Sequence, residues 1–254
     1  MHQYYKDPII KEFTSKTNEV IADETFLKEV ATGQIDRMGI HWNRHFPLFL
    51  KGSSIARILY YDFLYRKIIN VPGVVMEFGV QWGTTLSILT SLRGLYEPWN
   101  HSRCIYGFDT FEGLTNINSK DGDYANQGDY SVLNNYDDTL LKILEIHEKS
   151  QPLSHIKKSH LYKGDARVTV DQFLTENPHS VISMLILDMD ICEPTLEVLR
   201  KLKNRLTKGS VVVFDEINCP SFPGETIALI EEIGLPNISL RKFPFQTFGA
   251  YFIV

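Results

Sequence analysis

From Val74 onward, short apolar runs alternate with amphipathic stretches, and this alternation constrains the fold more than any other feature. The runs are VVMEFGV, CIYGFDT, SHLYKGDA, ISMLILDMD and SVVVFDE. Helical patterns open at about Thr84, at Pro194 and at about Glu225. Such a β–α order predicts a mostly parallel sheet with helices on both faces. Several of the runs are apolar throughout, as strands covered on both faces must be. The end of the chain breaks the pattern. NISLRKFPF and GAYFIV are separated by too few residues for a crossover helix, so they should pair as an antiparallel hairpin at the sheet edge. The expected fold is therefore α/β, a Rossmann-like, doubly wound, mostly parallel sheet with an antiparallel C-terminal hairpin. Nicotinamide-binding domains more usually carry six parallel strands, so five followed by a hairpin counts against them.

Upstream of Val71-Pro72-Gly73 no strand pattern is visible. SSIARILYYDFLYRKII places apolar residues at helical spacing, so residues 1–70 read as a helical N-terminal cap and residues 71–254 as the catalytic domain, the two forming one structural unit. The polar segment 115–135, TNINSKDGDYANQGDYSVLNN, is long enough to act as a mobile lid, with a disordered insertion as the alternative. Its Asp-Gly-Asp start lacks the glycine and glutamate register of an EF-hand.

Composition excludes several classes. With 43% hydrophobic and 22% charged residues, the 254-residue chain reads as a globular protein. A net charge of −5 argues against a nucleic-acid partner. No run approaches the roughly 18 apolar residues of a membrane span, and the start MHQYYKDPIIKEF has no signal-peptide pattern. Cys104, Cys192 and Cys219 are far apart and form no CxxC, which fits a reducing cytoplasm.

The candidate site residues cluster at predicted strand ends, where open α/β sheets bind ligands. Glu77-Phe-Gly79-Val-Gln-Trp-Gly83 ends the first strand, with the next helix starting at Thr84. Its two glycines let the backbone turn tightly and approach a ligand. An acid ahead of them disfavours a pyrophosphate but suits S-adenosylmethionine, which carries an amino group and a sulfonium. A plain strand-to-helix turn is the alternative. Asp109, followed by Thr110 and Phe111, ends the second strand and could accept hydrogen bonds from ribose hydroxyls. Asp165 could bind an adenine amine or simply cap a helix.

Four acids follow. LDMD places Asp188 and Asp190 at the end of the fourth strand, and FDE places Asp215 and Glu216 at the end of the fifth. Carboxylates brought so close raise one another's pKa unless a cation neutralises them. Hard oxygen ligands without a convergent His or Cys suit Mg²⁺ or Ca²⁺. Such a metal could bind a substrate hydroxyl and lower its pKa. His41 and His45 have metal-like spacing but lack the glutamate of HExxH, so a surface or core pair is the better reading. Arg37, Arg44, Lys51 and Arg57 could meet a nucleotide diphosphate, with scattered solvated charges as the default.

Taken together, VPGVVMEFGVQWG, GFDTFEGL, KGDA, LDMDICEPTLEVL, KGSVVVFDE and the PGET run at Pro223–Thr226 resemble the macrocin O-methyltransferase family, and its deoxyhexose 3-O-methyltransferase branch most. The resemblance begins at about Ser53. It implies methyl transfer from S-adenosylmethionine to a sugar hydroxyl, nucleotide-linked or glycan-linked, in a homo-oligomeric enzyme. It implies cofactor contacts at Glu77, Gly79, Gly83, Asp109 and Asp165. It also implies a divalent metal, usually magnesium, at Asp188, Asp215 and Glu216, with Asp190 as general base. Two departures stand out. Asp190-Ile191-Cys192 replaces the family's Asp-Leu-Tyr, removing a tyrosine that could contact substrate, and Asp215-Glu216 replaces paired aspartates. The rival functions are a nicotinamide-dependent oxidoreductase and a non-catalytic module that keeps the fold.

Overall fold

The computed structural model describes residues 18–254. The opening MHQYYKDPIIKEF, read above as carrying no signal peptide, lies outside the described residues, as does the first part of the expected cap. The chain divides into two compact units, one ending at Ile58 and one spanning Leu59–Val254. In the first, helix α1 (Asn18–Gln34) leads into a 3₁₀ stretch and short helical turns. Helix α2 (Gly52–Ile68) contains the boundary between the units. Among the described residues, no helix is long and apolar enough to cross a membrane.

The larger unit holds a seven-stranded sheet. In chain order its elements are β1 (Val74–Phe78), α3 (Thr84–Tyr96), β2 (Ile105–Asp109), α4 (Tyr136–Lys149), β3 (Ser159–Lys163), α5 (Ala166–Glu176), β4 (Ile182–Leu187), α6 (Cys192–Leu202), β5 (Leu206–Phe214), α7 (Gly224–Glu232), β6 (Arg241–Lys242) and β7 (Ala250–Ile253). The strand order is β3-β2-β1-β4-β5-β7-β6. β1 to β5 are mutually parallel, and β7 runs antiparallel to both β5 and β6. The five parallel strands and the terminal hairpin expected from the sequence are all present, with β3 at the sheet edge only partly buried. β6 is shorter than NISLRKFPF promised, because Pro244 has no N–H to extend the ladder.

Period-two alternation explains the two covered faces. Met76, Phe78, Leu185, Leu187, Val212 and Phe214 point into one core, shared with α5, α6 and α7. Val75, Met184, Ile186, Val211 and Val213 point into the other, shared with α2, α3 and α4. Phe78 stacks on Phe108 at 4.2 Å, and Phe108 on Tyr162 at 4.9 Å, which knits β1, β2 and β3 side by side. The connection reverses direction between β1 and β4, and this switch point opens a crevice at the carboxyl ends of the strands.

The segment 115–135 is tied down at several places. Asp121 is fully buried. Its carboxylate accepts the Cys192 N–H at the start of α6 and the Asn118 N–H, both at 2.7 Å. Lys120 pairs with Glu231 on α7 at 2.9 Å. The lid expected from the sequence is thus an anchored flap, since a fully buried acid cannot leave its two amide partners cheaply.

Candidate active site

Strand register assembles the site. Phe78 pairs with Leu187, and Leu187 with Phe214, so the next residues along the three strands, Gly79, Asp188 and Asp215, come level at the sheet edge. The Asp188 N–H donates to the Phe78 carbonyl at 2.8 Å, and the Asp215 N–H to the Leu187 carbonyl at 3.1 Å. Gly79 has φ +90°, and a Cβ there would lie 1.7 Å from the Asp188 carbonyl oxygen. Only glycine lets β1 turn out of the sheet this close to β4.

The turn after β1 is organised by Asp109. One carboxylate oxygen accepts the N–H groups of Val80 and Gln81 at 2.6 and 2.8 Å, and the other accepts the Phe111 N–H at 2.5 Å. The predicted ribose acceptor therefore also builds the loop, with lone pairs to spare for a ligand. Glu77 is buried at the end of β1 and Gly83 is the left-handed N-cap of α3. Thr84 is exposed at the start of that helix. Thr110 uses its hydroxyl within its own loop, donating to the Gly113 carbonyl and accepting the Glu112 N–H. The Phe111 ring is core, and its N–H is spent on Asp109. Asp165 is the N-cap of α5: it accepts the Arg167 N–H at 2.9 Å and pairs with the Arg167 guanidinium, which holds its carboxyl below the usual range. Of the two roles read for Asp165, the capping one is visible.

The four acids converge as expected. Ligand atoms of Asp188, Asp215 and Glu216 lie within 4.8 Å of one another, and so do those of Asp190, Glu216 and Glu225. Glu216 is 8% exposed, and its Oε2 has no hydrogen-bond partner. Burial, then the charges of Asp190, Asp215, Glu225 and Asp188, push its carboxyl well above the ordinary range. A buried carboxylate oxygen without a donor, facing further acids, is the environment a hard divalent cation would relieve. The residues therefore fit a metal, and the Glu216 side chain reaches the cluster.

Glu225 is the member that the sequence reading missed. The PGET run marks the start of a helix, and no strand-end logic reaches a residue in the first turn of α7. Cys192 is fully buried as the first residue of α6. Burial pushes its thiol up to about 11. In the N-terminal unit, Arg37, Arg44 and His45 line an open concavity of about 700 Å³ with Met38 and Leu48, while Lys51 pairs with Glu24. His41 and His45 are exposed and belong to neither metal-ligand grouping.

A parallel five-stranded sheet ending in an antiparallel pair, with acids and a glycine turn at its switch point, is a Rossmann-like methyltransferase fold. The family model for macrocin O-methyltransferase matches residues 65–224. The chain belongs to that family and is an O-methyltransferase. It is similar to the crystal structure of CalS11, a calicheamicin methyltransferase, with 38% identity over 96% of each chain and a TM-score of 0.89. A second structure of CalS11, described as a TDP-rhamnose 3′-O-methyltransferase, is 36% identical over 96% of this chain and 98% of that one, with a TM-score of 0.82. The O-methyltransferase NovP shares the fold alone, with 19% identity over 78% of this chain and 79% of that one, and a TM-score of 0.56. The family and the CalS11 likeness support sugar O-methylation. No curated protein sequence matches the chain.

Proposed function

We propose that this chain transfers a methyl group from S-adenosylmethionine to a hydroxyl of a nucleotide-linked deoxyhexose, in a metal-dependent reaction. The observation that carries the reading is the convergence of Asp188, Asp215 and Glu216 beside the Gly79 turn. Glu77, Gly79, Gly83 and Asp109 frame the donor pocket, with Asp165 toward the adenine end. Asp188, Asp215 and Glu216 would hold Mg²⁺ or a similar cation, which supplies Lewis acidity that lowers the pKa of a sugar hydroxyl. Asp190 lies three residues past the end of β4 and is 8% exposed. Its carboxylate takes the hydroxyl proton as that oxygen forms a bond to the methyl carbon and the carbon–sulfur bond breaks. S-adenosylhomocysteine and a methyl ether are the products.

The nucleotide-linked sugar rests on the likeness to CalS11, which makes TDP-rhamnose the first acceptor to try. A nicotinamide reading is disfavoured by β7 lying between β5 and β6, where a sixth parallel strand would be expected. Asp215→Ala should abolish methyl transfer from tritiated donor while S-adenosylhomocysteine binds within about threefold of wild type, as expected for a group used in the transition state. Full, chelator-insensitive turnover by that variant would refute the metal role.

A further inference from the structure

Asp190 occupies a backbone conformation that residues other than glycine seldom take. Its φ is +63°, in the left-handed region. Such a conformation persists only where surrounding contacts over-determine it. Glu225 supplies those contacts. Its side chain is fully buried in the first turn of α7. Oε1 accepts the N–H groups of Met189 and Asp190 at 3.0 and 3.2 Å, and Oε2 accepts the Glu216 N–H at 3.1 Å. One carboxylate therefore ties the loop after β4 to the end of β5. Gly224 permits the approach, since a Cβ on it would lie 2.6 Å from both the Asp190 carbonyl oxygen and the Cys192 nitrogen.

By proximity alone Glu225 qualifies as a metal ligand, because it groups with Asp190 and Glu216 as closely as Asp188 groups with Asp215 and Glu216. The hydrogen bonds decide otherwise. Both Glu225 oxygens already accept backbone donors, and a cation drawn onto them would compete with the N–H groups of Met189, Asp190 and Glu216 that hold the two loops together. We infer that Glu225 is a positioning residue: it aims Asp190 and Glu216 through their backbone amides and neither ligates the cation nor touches the sugar. This rests on the reading of Asp190 as base and Glu216 as ligand.

Full-length Glu225→Gln and Glu225→Ala test it. Glutamine keeps one acceptor oxygen but turns an amide nitrogen toward an N–H on the other side, so it should restore part of what alanine loses. Expected are a kcat lowered about 10-fold in the Gln variant and about 100-fold in the Ala variant, the size of effect that a displaced reacting group produces. Calorimetry should find S-adenosylhomocysteine affinity within about threefold of wild type, which separates positioning from general collapse. One Mn²⁺ per chain should still bind the Gln variant by electron paramagnetic resonance. Wild-type kcat in the Gln variant overturns the inference, as does a loss of S-adenosylhomocysteine affinity in step with kcat, or loss of Mn²⁺ binding. Should the Ala variant not fold, the Gln variant decides. Wild-type turnover in excess chelator is measured alongside: activity there sinks the metal reading, while the kcat ratio of the Glu225 variants still judges the positioning role.

Discussion

Replacing Arg103 with Met removes the most connected buried charge in the larger unit while keeping most of its apolar stem. Arg103 is 2% exposed and sits two residues before β2, at the amino ends of the strands. Its guanidinium donates to Glu97 at 2.9 and 3.2 Å, to the carbonyls of Ile68 and Val71 at 2.9 Å, to the Gly73 carbonyl at 2.5 Å and to the Ser183 hydroxyl at 2.6 Å. These contacts splice the end of α2 to the starts of β1, β2 and β4. After the substitution Glu97 keeps only the Tyr65 hydroxyl and the Asn100 amide as side-chain donors. Breaking a buried pair by removing one partner costs roughly 3–5 kcal/mol, and the orphaned carbonyls keep the figure from falling below that range. Against a typical domain stability of about 5–15 kcal/mol the loss is large.

Urea unfolding followed by circular dichroism measures it, and a double-mutant cycle with Glu97→Gln should recover part of it by removing the stranded charge. The pH dependence has a definite sign. Burial pushes the Glu97 carboxyl up, but hydrogen bonds from Arg103 and Tyr65 outweigh this and hold it below its ordinary value. Its contribution in the wild type is therefore present above about pH 4.5 and is lost as pH falls through the lowered value. In Arg103→Met only burial and weaker donors remain, so the gap between variant and wild type should narrow on acidification from pH 7 toward pH 4. Because the site lies at the opposite ends of the strands, kcat per folded molecule should not change. A loss under about 1 kcal/mol, or no coupling to Glu97→Gln, would refute the reasoning, since an exposed pair behaves that way.

Asp121→Ala should leave the buried Cys192 N–H without an acceptor, at roughly 1–3 kcal/mol before relaxation, and also free the half-buried Asn118 N–H; hydrogen exchange should then quicken across 115–135 and at the start of α6, and unchanged exchange would show that the flap is held elsewhere. Gly79→Ala combines a φ of +90° with a Cβ 1.7 Å from the Asp188 carbonyl oxygen. The backbone conformation alone costs roughly 1–2 kcal/mol, and the clash must also push β1 away from β4. S-adenosylhomocysteine affinity measured by calorimetry should fall by more than about tenfold, a ratio worth roughly 1.4 kcal/mol; retained affinity would mean that the turn does not shape the donor pocket.

Much of this architecture was readable in the chain. Short, largely apolar runs such as ISMLIL, set in a β–α alternation, read as strands covered on both faces, and two strand-like runs without room for a helix read as an antiparallel pair. Because side chains alternate along such runs, the sequence puts Asp188, Asp190, Asp215 and Glu216 at strand ends on local grounds alone. Tertiary structure decided the rest. The sequence offered Asp109 as a ribose acceptor, and folding also made it the organiser of the Gly79 turn through the N–H groups of Val80, Gln81 and Phe111. It offered Asp165 two roles, and the Arg167 contacts show the capping one. It offered 115–135 as a lid, and Asp121, 71 positions before the Cys192 amide it accepts, anchors that flap to α6. Glu225 was silent altogether. Periodicity reports which face of an element is buried, a local property of the chain. Which distant backbone amide a buried carboxylate meets depends on how whole elements dock, and no spacing rule carries that information.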